Sequence, residues 1–409
     1  MLEETEAKAA GRPDAKVADE AAQGKFHTTE VVTLAGAHLI HDSYGSFIGP
    51  LLPLIIQKHG LTLAAAGFLA TANRWPGIAM PFLGYLADRY DARAFVIWGP
   101  TVSALCLSTL GLAPSYWVLI ALLVGAGLSS SAFHPAASAL VTYASGKQWG
   151  RATSYFMTGG ELARTIGPPF IVAVVSQFSF EGAWVAALPA VLFSLFAVTR
   201  FTGRGAHVYV RPAPAHLGAA VRARGRAILL LAGVVTFRSL VISSFQIFYA
   251  TYLTGLGESL ALAGISLAVY EAGGVLGAFL GGPVSDRFGR RTVMGFSQLL
   301  AGPVLFVALL WSGQPIAFVA LFVGGLLTIS AGPVQLALAQ ELMPENRSVA
   351  SGIMMFLSFE GTIFASLVIG FLADRTGLQG ALGWSIIASM ISLPFTFLLP
   401  ETRGGYTGH

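Results

Sequence analysis

Residues 282–291 read Gly282-Pro-Val-Ser-Asp286-Arg287-Phe-Gly289-Arg290-Arg291 and close an apolar stretch, 260–284, long enough to cross a bilayer. An earlier copy, Gly84-Tyr-Leu-Ala-Asp88-Arg89-Tyr-Asp-Ala-Arg93, closes the apolar stretch 63–87. In both, a glycine precedes the Asp-Arg pair by four residues. A third echo, Gly370-Phe-Leu-Ala-Asp374-Arg375, ends a later stretch. The same segment after the second stretch of each half marks a duplicated chain, and duplicated halves are how many membrane carriers are built.

Working outward, apolar stretches of roughly 20 residues fall at 31–57, 63–87, 94–112, 116–143, 151–177, 182–201, 226–254, 260–284, 292–312, 315–340, 348–373 and 378–399. Only 11% of the 409 residues are charged and 55% are hydrophobic, against about 25% charged in a soluble domain. That composition excludes a globular enzyme with a solvated surface. The expected fold is an all-α membrane protein, twelve transmembrane helices in two six-helix bundles. Residues 1–30 read as a disordered tail without the apolar core of a signal peptide. The first bundle is 31–201, a polar central loop is 202–225, the second bundle is 226–400, and 401–409 form a short tail.

Lysine and arginine set the orientation. With both termini cytoplasmic, the inside collects Arg89, Arg93, Lys147, Arg151, the central-loop arginines, Arg287, Arg290, Arg291, Arg347 and Arg403, and the outside keeps Lys58 and Arg375. The net charge of +4 reflects that bias rather than a nucleic-acid partner. A bacterial-type inner membrane is expected, with the protein working as a monomer. The lone Cys106 rules out a disulfide frame or a thiolate metal site. No metal, no cofactor and no catalytic residue is expected. There is no ATP-binding loop, so a gradient supplies the energy.

These features resemble the major facilitator superfamily, whose loop signature between helices two and three has a glycine, an Asp-Arg pair and further basic residues. The resemblance implies that Gly84, Asp88 and Arg89, with Gly282, Asp286, Arg287, Arg290 and Arg291, form a cytoplasmic gate. The glycines would allow close helix approach, the aspartates would accept hydrogen bonds at a neighbouring helix N-terminus, and the arginines would pair across the face. Topology anchoring by positive charge is the plainer alternative. Gly159-Gly160-Glu161-Leu-Ala-Arg164-Thr-Ile-Gly167-Pro168 resembles the glycine-proline motif of the superfamily's antiporters, with Glu161 and Arg164 interrupting it. His38-Leu-Ile-His41-Asp42-Ser-Tyr44 and Phe133-His134-Pro135 resemble the fosmidomycin-resistance subgroup of drug exporters.

An ionisable residue in hydrocarbon costs roughly 2.5–3.5 kcal/mol on insertion scales, so each one is a candidate for function. They are His38, His41, Asp42, Arg74, His134, Glu161, Arg164, Arg238, Glu271 and Glu360. His38 and Asp42 share a helix face, either as a proton-exchanging pair or as a polar pair fixing helix one. Glu161 and Arg164 also share a face, as a permanent ion pair or as one that opens during transport. Arg74 and Arg238 are each a substrate contact or a counter-ion to Asp42, Glu271 or Glu360, with function favoured for Arg74 and a structural role, reaching the interface by snorkelling, for Arg238. Glu271 and Glu360 are proton-site candidates. His134 either serves the pathway or bonds the carbonyl freed by Pro135. Gln246, Tyr249, Tyr252 and Gln335, with Phe133 and Phe156, either line a cavity or simply pack. The function expected is a proton-coupled antiporter exporting a small organic compound, with anion symport or a non-transporting sensor as alternatives.

Overall fold

The computed structural model describes residues 26–79, 92–146, 148–201, 224–343 and 347–402. Among these, nine helical stretches are long and apolar enough to cross a membrane. The last, Ala350–Leu398, holds two passes, because the helical conformation breaks at Gly377 with φ +73°. The helix Trp149–Phe178 is as long but more polar, carrying Glu161 and Arg164 at its middle. Leu63–Ala72 and the 3₁₀ turn Trp75–Ala79 begin one further pass. The described residues thus hold eleven passes and the start of a further one, in keeping with the duplicated pattern of the sequence.

In chain order the helices are α1 (Thr28–Gly45), α2 (Ile48–His59), α3 (Leu63–Ala72), α4 (Ala92–Ser108), α5 (Tyr116–Ala144), α6 (Trp149–Phe178) and α7 (Leu188–Phe201) in the first half. The second half has α8 (Gly225–Ser243), α9 (Tyr249–Gly255), α10 (Leu260–Phe288), α11 (Arg290–Leu310), α12 (Pro315–Leu342), α13 (Arg347–Ser389) and α14 (Ser392–Leu398). A π turn, Ser244–Phe248, joins α8 to α9. The first helix starts inside the stretch expected as tail. Most of the expected central loop, and the gate residues Gly84, Asp88 and Arg89, lie outside the described residues.

Local chemistry explains several helix starts. The Thr62 hydroxyl accepts from the Ala65 N–H and Ser259 accepts from the Leu262 N–H, each satisfying an orphan donor of a first turn. α2 stops at Gly60, left-handed at φ +60°. α12 opens on Pro315, whose missing N–H costs nothing there.

The two halves meet at the end away from the chain termini, here the distal end. Leu52 and Ala66 of the first half share one buried cluster with Phe248, Ile369, Ala373 and Ala381 of the second. The Asp374 carboxylate accepts from the Leu63 N–H at 2.8 Å and the Ala64 N–H at 3.0 Å, capping α3 from the other half. Gly67 and Gly370 cross there so closely that a Cβ on Gly370 would lie 2.6 Å from the Leu63 carbonyl oxygen. At the terminal end each half keeps its own core. Val31, Phe133 and Phe201 belong to one, Leu231, Leu338 and Leu399 to the other. The described contacts therefore close the distal end.

Asp374 belongs to the third sequence echo, and its role is that inter-half cap. Gly370→Leu forces atoms into this crossing, where overpacking costs about 1–3 kcal/mol. A lowered melting temperature of the solubilised protein is the expected outcome, and an unchanged one would contradict the tight crossing.

Candidate functional site

The ionisable residues lie near the midpoints of their helices, and the fold gathers most of them into two clusters. The first surrounds Asp42 on α1. His38 Nε2 lies 3.1 Å from Asp42 Oδ2, His41 Nδ1 lies 2.9 Å from Oδ1, and His134 Nε2, arriving on α5, lies 3.3 Å from Oδ1. Three imidazoles thus converge on one carboxylate.

Their other nitrogens fix the tautomers. His38 Nδ1 donates to the Phe156 carbonyl at 2.8 Å, and His134 Nδ1 donates to the Ser130 carbonyl at 2.9 Å, because a carbonyl can only accept. Both Nε2 atoms therefore turn toward Asp42. His41 is different, since its Nδ1 donates to Asp42 and its Nε2 faces the Ser103 hydroxyl at 3.0 Å. The rings are clamped by stacking, His38 on Phe156 at 4.1 Å and His41 on Phe133 at 4.2 Å between centroids.

The glycine-proline motif positions this cluster. A Cβ on Gly160 would fall 2.7 Å from His38 Nε2, and Gly159 and Gly167 lie directly against the backbone of α1 at Ala35 and Ser43. The motif is a small-residue seam that lays α6 on α1. The helix stays continuous through Pro168 and Pro169.

The second cluster spans the two halves. Arg164 Nη2 forms an ion pair with Glu161 on its own helix, and Arg164 Nε lies 3.6 Å from Glu271 Oε2 on α10. Glu271 is buried, and its other oxygen accepts from Gln246 Nε2 at 2.8 Å. Gln246 sits in the π turn, the kind of helix irregularity that concentrates at functional sites. The Glu161–Arg164 pair of the sequence is thus real but incomplete, because the partner in the other half is 107 positions on and no local spacing reveals it.

Other expectations need correction. Arg238 does not snorkel. It is 6% exposed inside the second half, where its Nε donates to the Thr328 carbonyl at 2.8 Å. Arg74 has its guanidinium 5.7 Å from the Phe359 ring centre. Neither forms a salt bridge among the described residues, although the Asp42 carboxylate acts on Arg74 electrostatically. Glu360 is half-buried, likewise without an ion pair among them. His134 bonds the carbonyl of Ser130 rather than that of Ser131, the one Pro135 frees. Tyr249 and Tyr252 point into the second-half core, donating to Ala308 and Leu309 carbonyls. Phe133 and Phe156 are buried.

The gate residues are also rearranged. A Cβ on Gly282 would meet nothing within 4 Å, whereas one on Gly281 would press on the Ser330 backbone, so the close approach belongs to the neighbouring glycine. Asp286 pairs with Arg290 at 2.6 Å instead of capping a helix, and Arg290 also reaches Glu341 at 2.8 Å. Glu401 caps α11, accepting from the Arg291 and Thr292 N–H groups at 3.0 and 3.1 Å. Arg287 is exposed beside Phe288. Glu341 and Glu401 went unnoticed because helix ends rich in charge look alike in sequence.

A duplicated bundle with charges buried at mid-depth, between halves that close at one end, defines a membrane transporter rather than an enzyme. The chain belongs to the Major Facilitator Superfamily, whose profile matches residues 34–268 and 231–407. It is 26% identical to the MFS-type transporter YfnC of Bacillus subtilis, covering 91% of this chain and 93% of that one. It is 29% identical to the fosmidomycin resistance protein of Escherichia coli, covering 90% and 91%. A solved bacterial homologue of the lysosomal transporter Spinster superposes with a TM-score of 0.80 at 16% identity, over 91% of this chain and 96% of that one.

The packing account separates two glycines of the recognised motifs. Gly160→Ala must displace His38, with an expected stability loss of about 1–3 kcal/mol. Gly282→Ala, in open space, is neutral or stabilising by up to about 1 kcal/mol. Thermal denaturation of both variants checks this, and equal effects would contradict it.

Proposed function

We propose that the protein is a proton-coupled antiporter that expels a small organic anion by alternating access, and that Glu271 carries the proton. The observation behind this reading is the bridge Glu161–Arg164–Glu271, a part-buried ionic link joining the two halves at mid-membrane. Ionised Glu271 attracts Arg164 and helps hold the distal end shut. A proton on Glu271, or a substrate anion taking Arg164, removes that attraction. Only such a differential interaction can shift two conformations. Breaking a buried ion pair costs about 3–5 kcal/mol. Arg164 keeps 36% of its side chain accessible, so screening favours the low end, still roughly a hundredfold in population.

The groups facing Glu271 are Arg164 and Glu161 on α6 and Gln246 in the π turn. The empty, deprotonated carrier is latched, while protonated or substrate-bound forms are free to exchange. That asymmetry is what couples proton entry to export. Arg74, an exposed cation with no salt bridge among the described residues, favours an anionic substrate. The drug-resistance relatives and the glycine-proline seam support export. Positive charge at the terminal end supports cytoplasmic termini in a bacterial inner membrane, with the described conformation open to the cytoplasm.

The test is the purified chain in liposomes with a trapped pH dye, given fosmidomycin and a panel of small organic anions. Substrate entry should drive proton exit, and Glu271→Gln should abolish the coupling while leaving a folded protein. Co-directional movement, or coupling retained in Glu271→Gln, would overturn the reading. Arg74→Met should weaken anion binding at least about tenfold, the loss of a charge-assisted contact worth about 1.5–3 kcal/mol. Unaltered binding would remove Arg74 from the substrate path.

A further inference from the structure

His38 and His134 present an unusual accounting problem. Each has Nδ1–H committed to a backbone carbonyl, so a neutral ring offers only a lone pair at Nε2. Both lone pairs aim at the Asp42 carboxylate, which also carries only lone pairs. Acceptors facing acceptors repel, so a positive centre belongs between them. Two protons could supply it through charge-assisted hydrogen bonds, which are commonly about 2.7–2.9 Å long, and a metal cation could supply it instead. The third histidine makes such a bond, His41 to Asp42 at 2.9 Å. The other two contacts are longer, at 3.1 and 3.3 Å.

The two contacts go to different carboxylate oxygens, His38 to Oδ2 and His134 to Oδ1, and both lengths are close to those between neighbouring ligands of one metal. Ligands bound at about 2.0–2.2 Å in a tetrahedron stand roughly 3.3 Å apart along each edge. The ligand atoms of His38, Asp42 and His134 all lie within 4.8 Å of one another. We propose that His38 Nε2, His134 Nε2 and the Asp42 carboxylate bind a divalent transition cation of the Zn²⁺ type in the membrane interior. Two imidazoles and one carboxylate are a borderline-soft set that suits such ions and leaves a fourth position open.

The surroundings fit this role. The carbonyls of Phe156 and Ser130 orient the two ligand rings from behind, the arrangement that holds metal-bound histidines in place. His41, anchored by Ser103, holds the carboxylate without occupying a ligand position. Phe133 and Phe156 form an apolar wall, and Gly160 leaves room for the His38 ring. Asp42 and His134 keep 22% and 26% of their side chains accessible, so the open position can be reached. Arg74 is near enough to Asp42 and His134 for their charges to interact. The site shares no ligand with the Arg164–Glu271 bridge, although Asp42 acts electrostatically on Arg164, and its test reads metal binding whether or not that bridge couples protons.

The experiment uses the full chain, purified in detergent on a tag without histidine, stripped with chelator and equilibrated with Zn²⁺ alone. Bound zinc is counted by elemental mass spectrometry after gel filtration, and Co²⁺ is substituted to read coordination from its visible spectrum. Near-stoichiometric zinc with a tetrahedral cobalt spectrum is expected. Asp42→Asn and His134→Ala should lose both signals, and His41→Phe should weaken binding about 10–100-fold as an orienting residue. His27→Ala, outside the cluster, should bind as the parent does. The gel-filtration profile reports folding, and near-isosteric Asp42→Asn covers the case in which His134→Ala does not fold. A parent protein retaining no more zinc than Asp42→Asn, or a cobalt spectrum unchanged in both variants, would overturn the site.

Discussion

One arginine in the middle of a membrane helix constrains much of this structure. Arg164 cannot remain alone in hydrocarbon, and Glu161 one turn away neutralises it within its own helix. Its reach to Glu271 then makes the relation between the halves an electrostatic matter as well as a packing one. Packing alone is a weak discriminator here, because lipid is as apolar as leucine and offers little drive for two bundles to associate. Glycine crossings permit close approach at the distal end, while the Asp374 cap and the Arg164 bridge supply directional contacts that favour it.

The small residues and the charges act together. The seam of Gly159, Gly160 and Gly167 brings α6 against α1, which places Arg164 beside the inter-half boundary and gives the His38 ring its space. The same helix pairing delivers the Phe156 carbonyl to His38 and so sets that ring's tautomer. A motif that could be read as a bend is therefore a packing surface on which both polar clusters depend. In the second half, the π turn does comparable work by directing Gln246 onto Glu271.

The fold was legible because its determinants are local or periodic. Apolar stretches of membrane length, the repeated Gly…Asp-Arg segment and the arginine bias specify twelve passes in two halves, and the helices fall where those signals put them. The sites were legible only as an inventory. Buried charge is costly, so Asp42, Glu161, Arg164 and Glu271 stand out individually, yet which of them meet depends on helix packing. His38 with Asp42 and Glu161 with Arg164 were visible at helical spacing. The approach of His134 from α5 and of Glu271 from α10 was not. Arg238 was misjudged because a one-dimensional reading cannot distinguish a side chain running to the interface from one buried against the Thr328 carbonyl.

The central claim is that the charge state of Glu271 sets whether the distal end is closed. Spin labels at Gln177, at the distal end of α6, and at Leu256, just beyond α9, would report that opening by pulsed electron resonance, with Cys106 replaced by serine. A narrow short-distance population when Glu271 is ionised, giving way to longer distances at low pH and in Glu271→Gln at every pH, is what the account predicts. Distances that ignore both pH and the substitution would contradict it and leave the bridge a structural ion pair.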